Sequence, residues 1–181
     1  GREGPSQSQV NSAYSGTALE GQVTSNNGIQ EWTVPYTGIY NIFVWGAEGG
    51  ADPGASFGGN GANMSGDIIL NSGEILQILV GQRGGESNLS SQGGGGGSFV
   101  AKGENNINAV PLIIAGGGGG AHENETGDSG TIEDCGTTQN NGSGGCNGNG
   151  GETNGSYGAA GGGFYTPGDN GSAGGHGYGG Q

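Results

Sequence analysis

Acidic side chains are the residues of this sequence with the clearest potential for chemistry. Five of them lie close together in a stretch made mostly of Gly, Asn, Ser and Thr: Glu123, Glu125, Asp128, Glu133 and Asp134. Carboxylate oxygens are calcium ligands, but these residues lack the spacing of an EF-hand loop. We therefore expect a solvated acidic binding face and no cofactor, with calcium binding as the weaker alternative.

The two cysteines, Cys135 and Cys146, lie in the same part of the chain. In an extracellular protein such a pair predicts a disulfide, which would close a small loop and contribute about 2 to 3 kcal/mol. The alternative is a metal site completed by His122 and His176, although neither histidine has the spacing of a zinc ligand. We favour the disulfide and expect no metal.

Groups suited to catalysis are scarce. The chain has only two histidines, and neither lies in a Gly-x-Ser-x-Gly context. The glycine run at residues 58–61 resembles a phosphate-binding loop, but no Gly-Lys-Ser/Thr sequence follows it. The sequence therefore predicts no enzyme, no catalytic residue and no bound nucleotide.

Three aromatic residues could bind sugars by stacking, namely Trp32, Tyr36 and Trp45. Aromatic side chains in or next to strands are more often core residues, and we expect a buried position for these three.

Sugars can also be attached covalently. Six Asn-x-Ser/Thr sequons predict a secreted glycoprotein with N-linked glycans, at Asn63, Asn88, Asn124, Asn141, Asn154 and Asn170.

The charge balance is strongly acidic, with 3 Lys and Arg against 16 Asp and Glu and a net charge of −13. Nucleic acid and anionic membrane surfaces are excluded as partners, because binding to both depends on basic side chains. The sequence has no apolar run long enough to cross a bilayer, so we expect no membrane insertion. A basic extracellular protein is the partner that this charge favours.

Short apolar segments separated by turns and glycine-rich stretches predict six strands, at residues 30–35, 38–45, 67–70, 74–80, 98–101 and 111–115. Large apolar side chains on both faces of residues 38–45 indicate a strand buried on both sides. Residues 71–73 predict a hairpin-type turn. No segment shows a helical period, so we expect an all-β sandwich without α-helix.

Composition divides the chain into three parts. Residues 1–30 are polar and rich in turns, which predicts an extended N-terminal arm. Residues 31–115 form the β-sandwich, with glycine excursions at 46–66 and 81–97. Residues 116–181 are glycine-rich and contain few large apolar residues.

Glycine occupies 50 of the 181 positions. Such a composition is typical of disorder. The alternative is a bundle of polyglycine-II helices, in which backbones without Cβ atoms pack closely and exchange hydrogen bonds. A valine at Gly117 or Gly118 should then destabilise the protein far more than a valine at Gly4. The residues predicted to form the bundle are Gly93, Gly95, Gly97, Gly116, Gly118, Gly120, Gly161 and Gly163.

Several motifs, in order along the chain, closely resemble the extracellular glycine-rich domain of the anaplastic lymphoma kinase and leukocyte tyrosine kinase receptors. The most specific is Gly-Glu-x-Leu-x-Ile-Leu-Val-Gly-Gln at residues 73–82. The others are GPSQSQ at 4–9, AYSGT at 13–17, WxVP at 32–35, GxY at 38–40, WGAxGG at 45–50 and PLIIAGGGG at 111–119.

This resemblance implies a TNF-like, jelly-roll-type β-sandwich with inserted polyglycine-II helices. It also implies a non-catalytic domain, since the resembled domains bind small basic cytokine-like proteins. The chain departs from the pattern at Val10, where those receptors carry a cysteine. It also stops before the closing strand material of those domains, which would leave an open sheet edge.

Two functions agree with these features. In the first, which we favour, the chain is a structural subunit of an extracellular filament or matrix, and the N-terminal arm adds as a strand to the open edge of another copy. In the second, it is a receptor domain that presents an acidic surface to a basic protein ligand.

Overall fold

The structure is a computed structural model that describes residues 4–52, 56–86, 91–104, 108–122, 124–139, 142–153 and 158–171. The prediction of an all-β fold is confirmed, but the expectation of no α-helix is wrong. In chain order, the elements are α1 (Gln7–Tyr14), β1 (Val23–Asn26), β2 (Ile29–Thr33), β3 (Gly38–Trp45), β4 (Asn63–Leu70), β5 (Ile75–Leu79), β6 (Ser98–Lys102), β7 (Val110–Ala115), β8 (Thr138–Gln139), β9 (Gly142–Ser143) and β10 (Glu152–Thr153).

Two antiparallel sheets form a sandwich. The larger sheet has five strands in the order β1-β2-β5-β6-β7, and β3 and β4 form the second sheet by pairing along their whole length. Their inner faces enclose the hydrophobic core, whose buried members are Val34, Val44, Ala62, Leu70, Leu76, Val100 and Ala115. Burial of this apolar set from both sheets is the main force that holds the layers together.

The turn between β4 and β5 is not a hairpin, contrary to the prediction. β4 pairs with β3, whereas β5 pairs with β2 and β6, so residues 71–73 carry the chain from one sheet to the other. Gly73 lies in this crossing with φ of 87°, and its N–H donates to the carbonyl of Val34 over 2.8 Å. The left-handed backbone at this position favours glycine.

The outer face of β3 is exposed, so the expectation of a strand buried on both sides is wrong. Phe43 and Trp45 are each 56% exposed, and Ile39 is 72% exposed. Tyr36, just before β3, is 77% exposed. The prediction of core positions therefore fails for Tyr36 and Trp45, while Trp32 packs against the core.

The N-terminal residues are folded, and the prediction of an extended arm is wrong. Ser6 and Gln9 form a capping box at the start of α1: the Ser6 N–H donates to Gln9 Oε1 over 2.8 Å, and the Gln9 N–H donates to Ser6 Oγ over 3.4 Å. Val10, at the position where the resembled receptors carry cysteine, is the buried residue of this helix. Most other residues of α1 are polar, so the apolar period typical of a helix is missing from the sequence.

Strand β1 joins this N-terminal unit to the sandwich. It pairs with β2 across a two-residue turn formed by Asn27 and Gly28, whose φ values are 49° and 84°. The Ser25 N–H donates to Gln7 Oε1 over 2.7 Å, which ties α1 to β1. Gly4 has φ of 68°, and a Cβ there would collide with the backbone of Gly28. A valine at Gly4 would therefore also be strained, and the structure does not support the expected large contrast between Gly4 and Gly117.

The glycine excursions order themselves around residues 46–50. The N–H groups of Gly46 and Gly49 donate to Ala62 and Gly59 over 2.9 and 3.0 Å. Those of Ala47 and Gly50 donate to a second segment, residues 92–97. Donors three residues apart thus reach the same neighbour.

The carbonyl groups of residues 46–50 accept hydrogen bonds with the same three-residue spacing. Ala47 and Gly50 accept from Gly118 and Ala121, at 2.9 and 3.0 Å, so residues 116–121 form a third neighbour. A helix with three residues per turn and no internal hydrogen bonds has this geometry, which is that of polyglycine-II.

The predicted bundle glycines all lie in three of the glycine segments. Gly93, Gly95 and Gly97 belong to residues 92–97, Gly116, Gly118 and Gly120 to residues 116–121, and Gly161 and Gly163 to residues 158–163. Gly94 and Gly97 donate to carbonyls of this last segment over 2.8 and 3.3 Å. At Gly116, a Cβ would meet no atom within 4 Å, so this glycine lies in the bundle without being sterically required.

Beyond the bundle, a small third sheet has the order β10-β9-β8. Phe164 packs edge-on against Phe99 of β6, with ring centroids 5.6 Å apart, and so links the C-terminal part of the chain to the sandwich. Within the described ranges, no helix has the length and apolar character needed to cross a membrane.

Candidate functional site

A pocket of about 600 Å³ lies where the glycine bundle meets the third sheet. Glycine segments 116–121 and 158–163 supply much of its lining, and their backbone leaves the space that side chains would otherwise fill. Four acidic residues also line it: Asp128, Glu133, Asp134 and Glu152. We call this feature the acidic pocket.

The disulfide between Cys135 and Cys146 positions two of these acids. It follows directly after Glu133 and Asp134, and the Asn147 N–H donates to the carbonyl of Asp134 over 2.7 Å. The Thr131 hydroxyl donates to the carbonyl of Cys135 over 2.8 Å. Glu133 and Asp134 therefore lie just before the disulfide-closed loop, and the disulfide and these two hydrogen bonds hold the backbone next to them.

Three of the five predicted acids thus come together in the pocket. The Gly119 N–H donates to the carbonyl of Asp128 over 2.7 Å, which anchors the backbone of that residue to the glycine bundle. Glu125 is not among the pocket residues, and its backbone pairs with that of His122. Glu123 lies outside the described residues.

Glu152 is a pocket residue that sequence reasoning missed. It lies on β10, and the pairing of β10 with β9, with Glu152 opposite Ser143, brings it to the pocket. The strands concerned have two residues each. Such short strands give no alternating pattern, so no signal in the sequence could have placed Glu152 in the same pocket lining as Glu133 and Asp134.

The Arg and Lys side chains of the described residues lie elsewhere. Arg83 pairs with Glu48 at 3.2 Å and with Glu86 at 2.5 Å, and hydrogen bonding to Glu86 raises the pKa of its guanidinium. Lys102 pairs with Glu74 at 3.2 Å. Neither cation lines the pocket, so the negative charge of its carboxylates is not neutralised by Arg83 or Lys102.

Among the described residues, Glu74 is a carboxylate with a shifted pKa. The backbone N–H of Asn71 donates to Glu74 Oε2 over 2.9 Å, and the Asn71 side chain donates to Oε1 over 3.2 Å. These bonds, followed by the one from Lys102, lower the pKa of Glu74 because they favour its charged form. The group stabilises a turn and is not part of the pocket lining.

Metal ligation is not supported by the side-chain positions. Across the described ranges, no three His, Cys, Asp or Glu residues converge closely enough to hold an ion. His122 lines the pocket, and His176 lies outside the described residues. The metal alternative for the cysteines is replaced by the disulfide.

Three predicted glycosylation sites can be placed. Asn63 is the first residue of β4 and has an exposed side chain. Asn124, whose φ is 71°, and Asn170 are also exposed. Asn88, Asn141 and Asn154 lie outside the described residues.

No protein-family profile matches the chain. A curated protein does match part of the chain. Over 88 residues the chain is 39% identical to the leukocyte tyrosine kinase receptor of Mus musculus. The matched part is 46% of this chain and 10% of that receptor, so the chain spans about a tenth of its relative. The partial match supports a relation to this receptor family, and together with the disulfide it indicates an extracellular or secreted protein.

Proposed function

We propose that this chain is a non-enzymatic extracellular recognition domain whose acidic pocket receives Lys or Arg side chains of a basic protein ligand. The observation that carries the proposal is the convergence of Asp128, Glu133, Asp134 and Glu152 on one pocket, without Arg83 or Lys102 in its lining. A net charge of −13 adds a long-range field that attracts a cationic partner.

The size of the pocket supports the same ligand chemistry. A volume of about 600 Å³ is within the range of ligand pockets and can hold one or two long side chains. Three of the four acids, Glu133, Asp134 and Glu152, are exposed, so a docking protein can reach them. The relation to a receptor agrees with a binding role.

The test compares two variants of equal net charge. The pocket variant carries Glu133→Gln, Asp134→Asn and Glu152→Gln, and the control carries Glu31→Gln, Asp52→Asn and Glu104→Gln at residues outside the pocket. Binding of fluorescein-labelled hexaarginine is measured by fluorescence anisotropy. At about 0.2 to 1 kcal/mol for each exposed charge, we expect about tenfold weaker binding for the pocket variant. The control should keep nearly full affinity, and an equal loss in both variants would contradict a defined site.

Self-assembly into a filament or matrix is the second candidate. The observation that favours it is that, in the described part of the chain, β3 and β4 pair only with each other, which leaves an edge on each. Residues 4–26 are not available as the donor strand, because α1 and β1 are part of the same chain's fold. Sedimentation velocity at high protein concentration tests this candidate, and a monomer would exclude it.

A further inference from the structure

The outer face of the β3–β4 sheet carries an exposed aromatic pair. The rings of Phe43 and Trp45 are stacked, with centroids 6.0 Å apart and an angle of 18° between their planes. Each side chain is 56% exposed. Contiguous exposed apolar surface of this kind marks a site of contact with a partner or ligand.

The same face carries a complete glycosylation sequon. In the β3–β4 register, Asn63 is directly opposite Trp45, and Ser65 is directly opposite Phe43. Both sequon side chains are exposed, while Met64 between them packs against the core. Directly opposite residues of antiparallel strands have Cβ atoms about 4.5 to 5.5 Å apart. A sugar attached to Asn63 would therefore start beside the Trp45 ring.

We propose that Asn63 carries an N-linked glycan whose first N-acetylglucosamine packs on the Phe43–Trp45 pair. The donor is an oligosaccharide linked to a polyprenyl diphosphate. The Asn63 side-chain nitrogen attacks C1 of the first sugar, a C–N bond forms, and the bond from C1 to the diphosphate oxygen breaks. The amide loses one proton, and the polyprenyl diphosphate leaves.

The face suits this occupant in shape and polarity. One side of a pyranose ring presents C–H groups, which can lie on an aromatic ring, and the hydroxyls remain in water. The next cross-strand pair along the sheet is polar, because Asn41 Nδ2 donates to Asp67 Oδ1 over 2.6 Å. These two side chains can offer hydrogen bonds to the sugar's edge. Covalent attachment also removes most of the entropy cost of bringing the sugar to the face.

The register distinguishes Asn63 from the other sequons that the structure describes. Asn124 and Asn170 both lie outside the strands, and only Asn63 has an exposed aromatic residue as its cross-strand partner among the residues described. The glycan would cover a face that a protein partner could otherwise use. This proposal is independent of ligand binding at the acidic pocket.

The first experiment measures occupancy. The full chain is secreted from cultured mammalian cells, and peptide-N-glycosidase treatment in ¹⁸O-water followed by mass spectrometry reads each sequon. We expect Asn63 to be occupied in the parent and in Ser65→Thr, which keeps the sequon, and unmodified in Ser65→Ala. An unmodified Asn63 in a chain glycosylated elsewhere would overturn the proposal.

The second experiment tests packing by a mutant cycle in thermal unfolding. Ser65→Ala should lower the midpoint by about 2 to 4 °C in the parent and leave it unchanged in a Phe43→Thr/Trp45→Thr background. Equal shifts in the two backgrounds would overturn the packing. If the double aromatic variant does not fold, nuclear Overhauser contacts in the parent protein replace the cycle. We expect contacts between the Trp45 ring and the acetyl methyl of the first sugar. Their absence would overturn the proposed packing and would agree with a face that another protein covers.

Discussion

Gly118 donates its backbone N–H to the carbonyl oxygen of Ala47 over 2.9 Å, which joins the glycine segment after β7 to the one after β3. A Cβ at Gly118 would collide with the backbone of Gly59, which belongs to a further glycine-rich segment packed against the same residue. The contact shows how a chain with so much glycine can be ordered: backbone hydrogen bonds between segments replace the side-chain packing that glycine lacks. The pocket is built on this layer, because residues 116–121 form part of its lining.

Adjacent glycines in that segment should respond very differently to alanine. A Cβ at Gly117 would collide with the backbone of Gly95, whereas one at Gly116 meets nothing within 4 Å. We expect Gly117→Ala to lower the free energy of unfolding by at least about 1 to 3 kcal/mol. Gly116→Ala should change it by less than about 1 kcal/mol, because it meets no obstacle and restricts the unfolded chain. Denaturant unfolding checks the pair, and two equally small effects would mean that the bundle is not closely packed.

The first helix should contribute to stability through Val10. This side chain is 2% exposed, and its truncation to alanine leaves a small cavity between α1 and the sheet. We expect Val10→Ala to cost about 2 kcal/mol. Ser8→Ala on the exposed side of the same helix is the control and should stay within about 0.5 kcal/mol. An unchanged unfolding midpoint for Val10→Ala would show that the N-terminal segment is a free arm after all.

The disulfide should hold the pocket rather than the sandwich. Cys135→Ser/Cys146→Ser should lose about 2 to 3 kcal/mol in the part of the chain that it closes. Hydrogen exchange should accelerate in residues 131–149 and remain slow in β5 and β6, and hexaarginine binding should weaken. Faster exchange throughout the sandwich would instead make the disulfide a global element of the fold.

Acid should remove the contribution of Glu74. Its pKa is lowered in the folded protein by the Asn71 hydrogen bonds, so its stabilising effect is present above the unfolded pKa and is lost as the pH falls through the folded pKa. Glu74→Gln should therefore be less stable than the parent at pH 7, and the difference should shrink below about pH 4. Glu104→Gln, just after Lys102, is the control. Unfolding measured across this range would contradict the assignment if the Glu74→Gln difference did not depend on pH.

Most strands of the sandwich could be predicted because they are short apolar runs bounded by turn residues or glycine, as in Ile75–Leu79 and Val110–Ala115. The polar helix α1 could not be recognised by period, although Ser6 and Gln9 fit the capping-box pattern that starts it. The exposure of Phe43 and Trp45 was not predictable either. Whether another layer of the protein covers the outer face of a sheet depends on the whole fold and not on the sequence of one strand.

The acidic pocket was predictable only in part. Asp128, Glu133 and Asp134 belong to one stretch of the sequence, and that proximity was enough to group them. Glu152 joins the same pocket lining through the pairing of two-residue strands, for which the sequence shows no local pattern.

The most direct test of ligand recognition is to locate a bound cationic peptide on the full chain. Hexaarginine that carries a photoreactive benzophenone is irradiated with the protein at low salt, and mass spectrometry maps the cross-linked residues. Recognition at the acidic pocket predicts cross-links concentrated in residues 128–134 and 142–153 and their loss in 0.5 M NaCl, on the order of the salt that screens exposed charges. Cross-links centred on the β3–β4 face, or spread evenly over the surface, would contradict it.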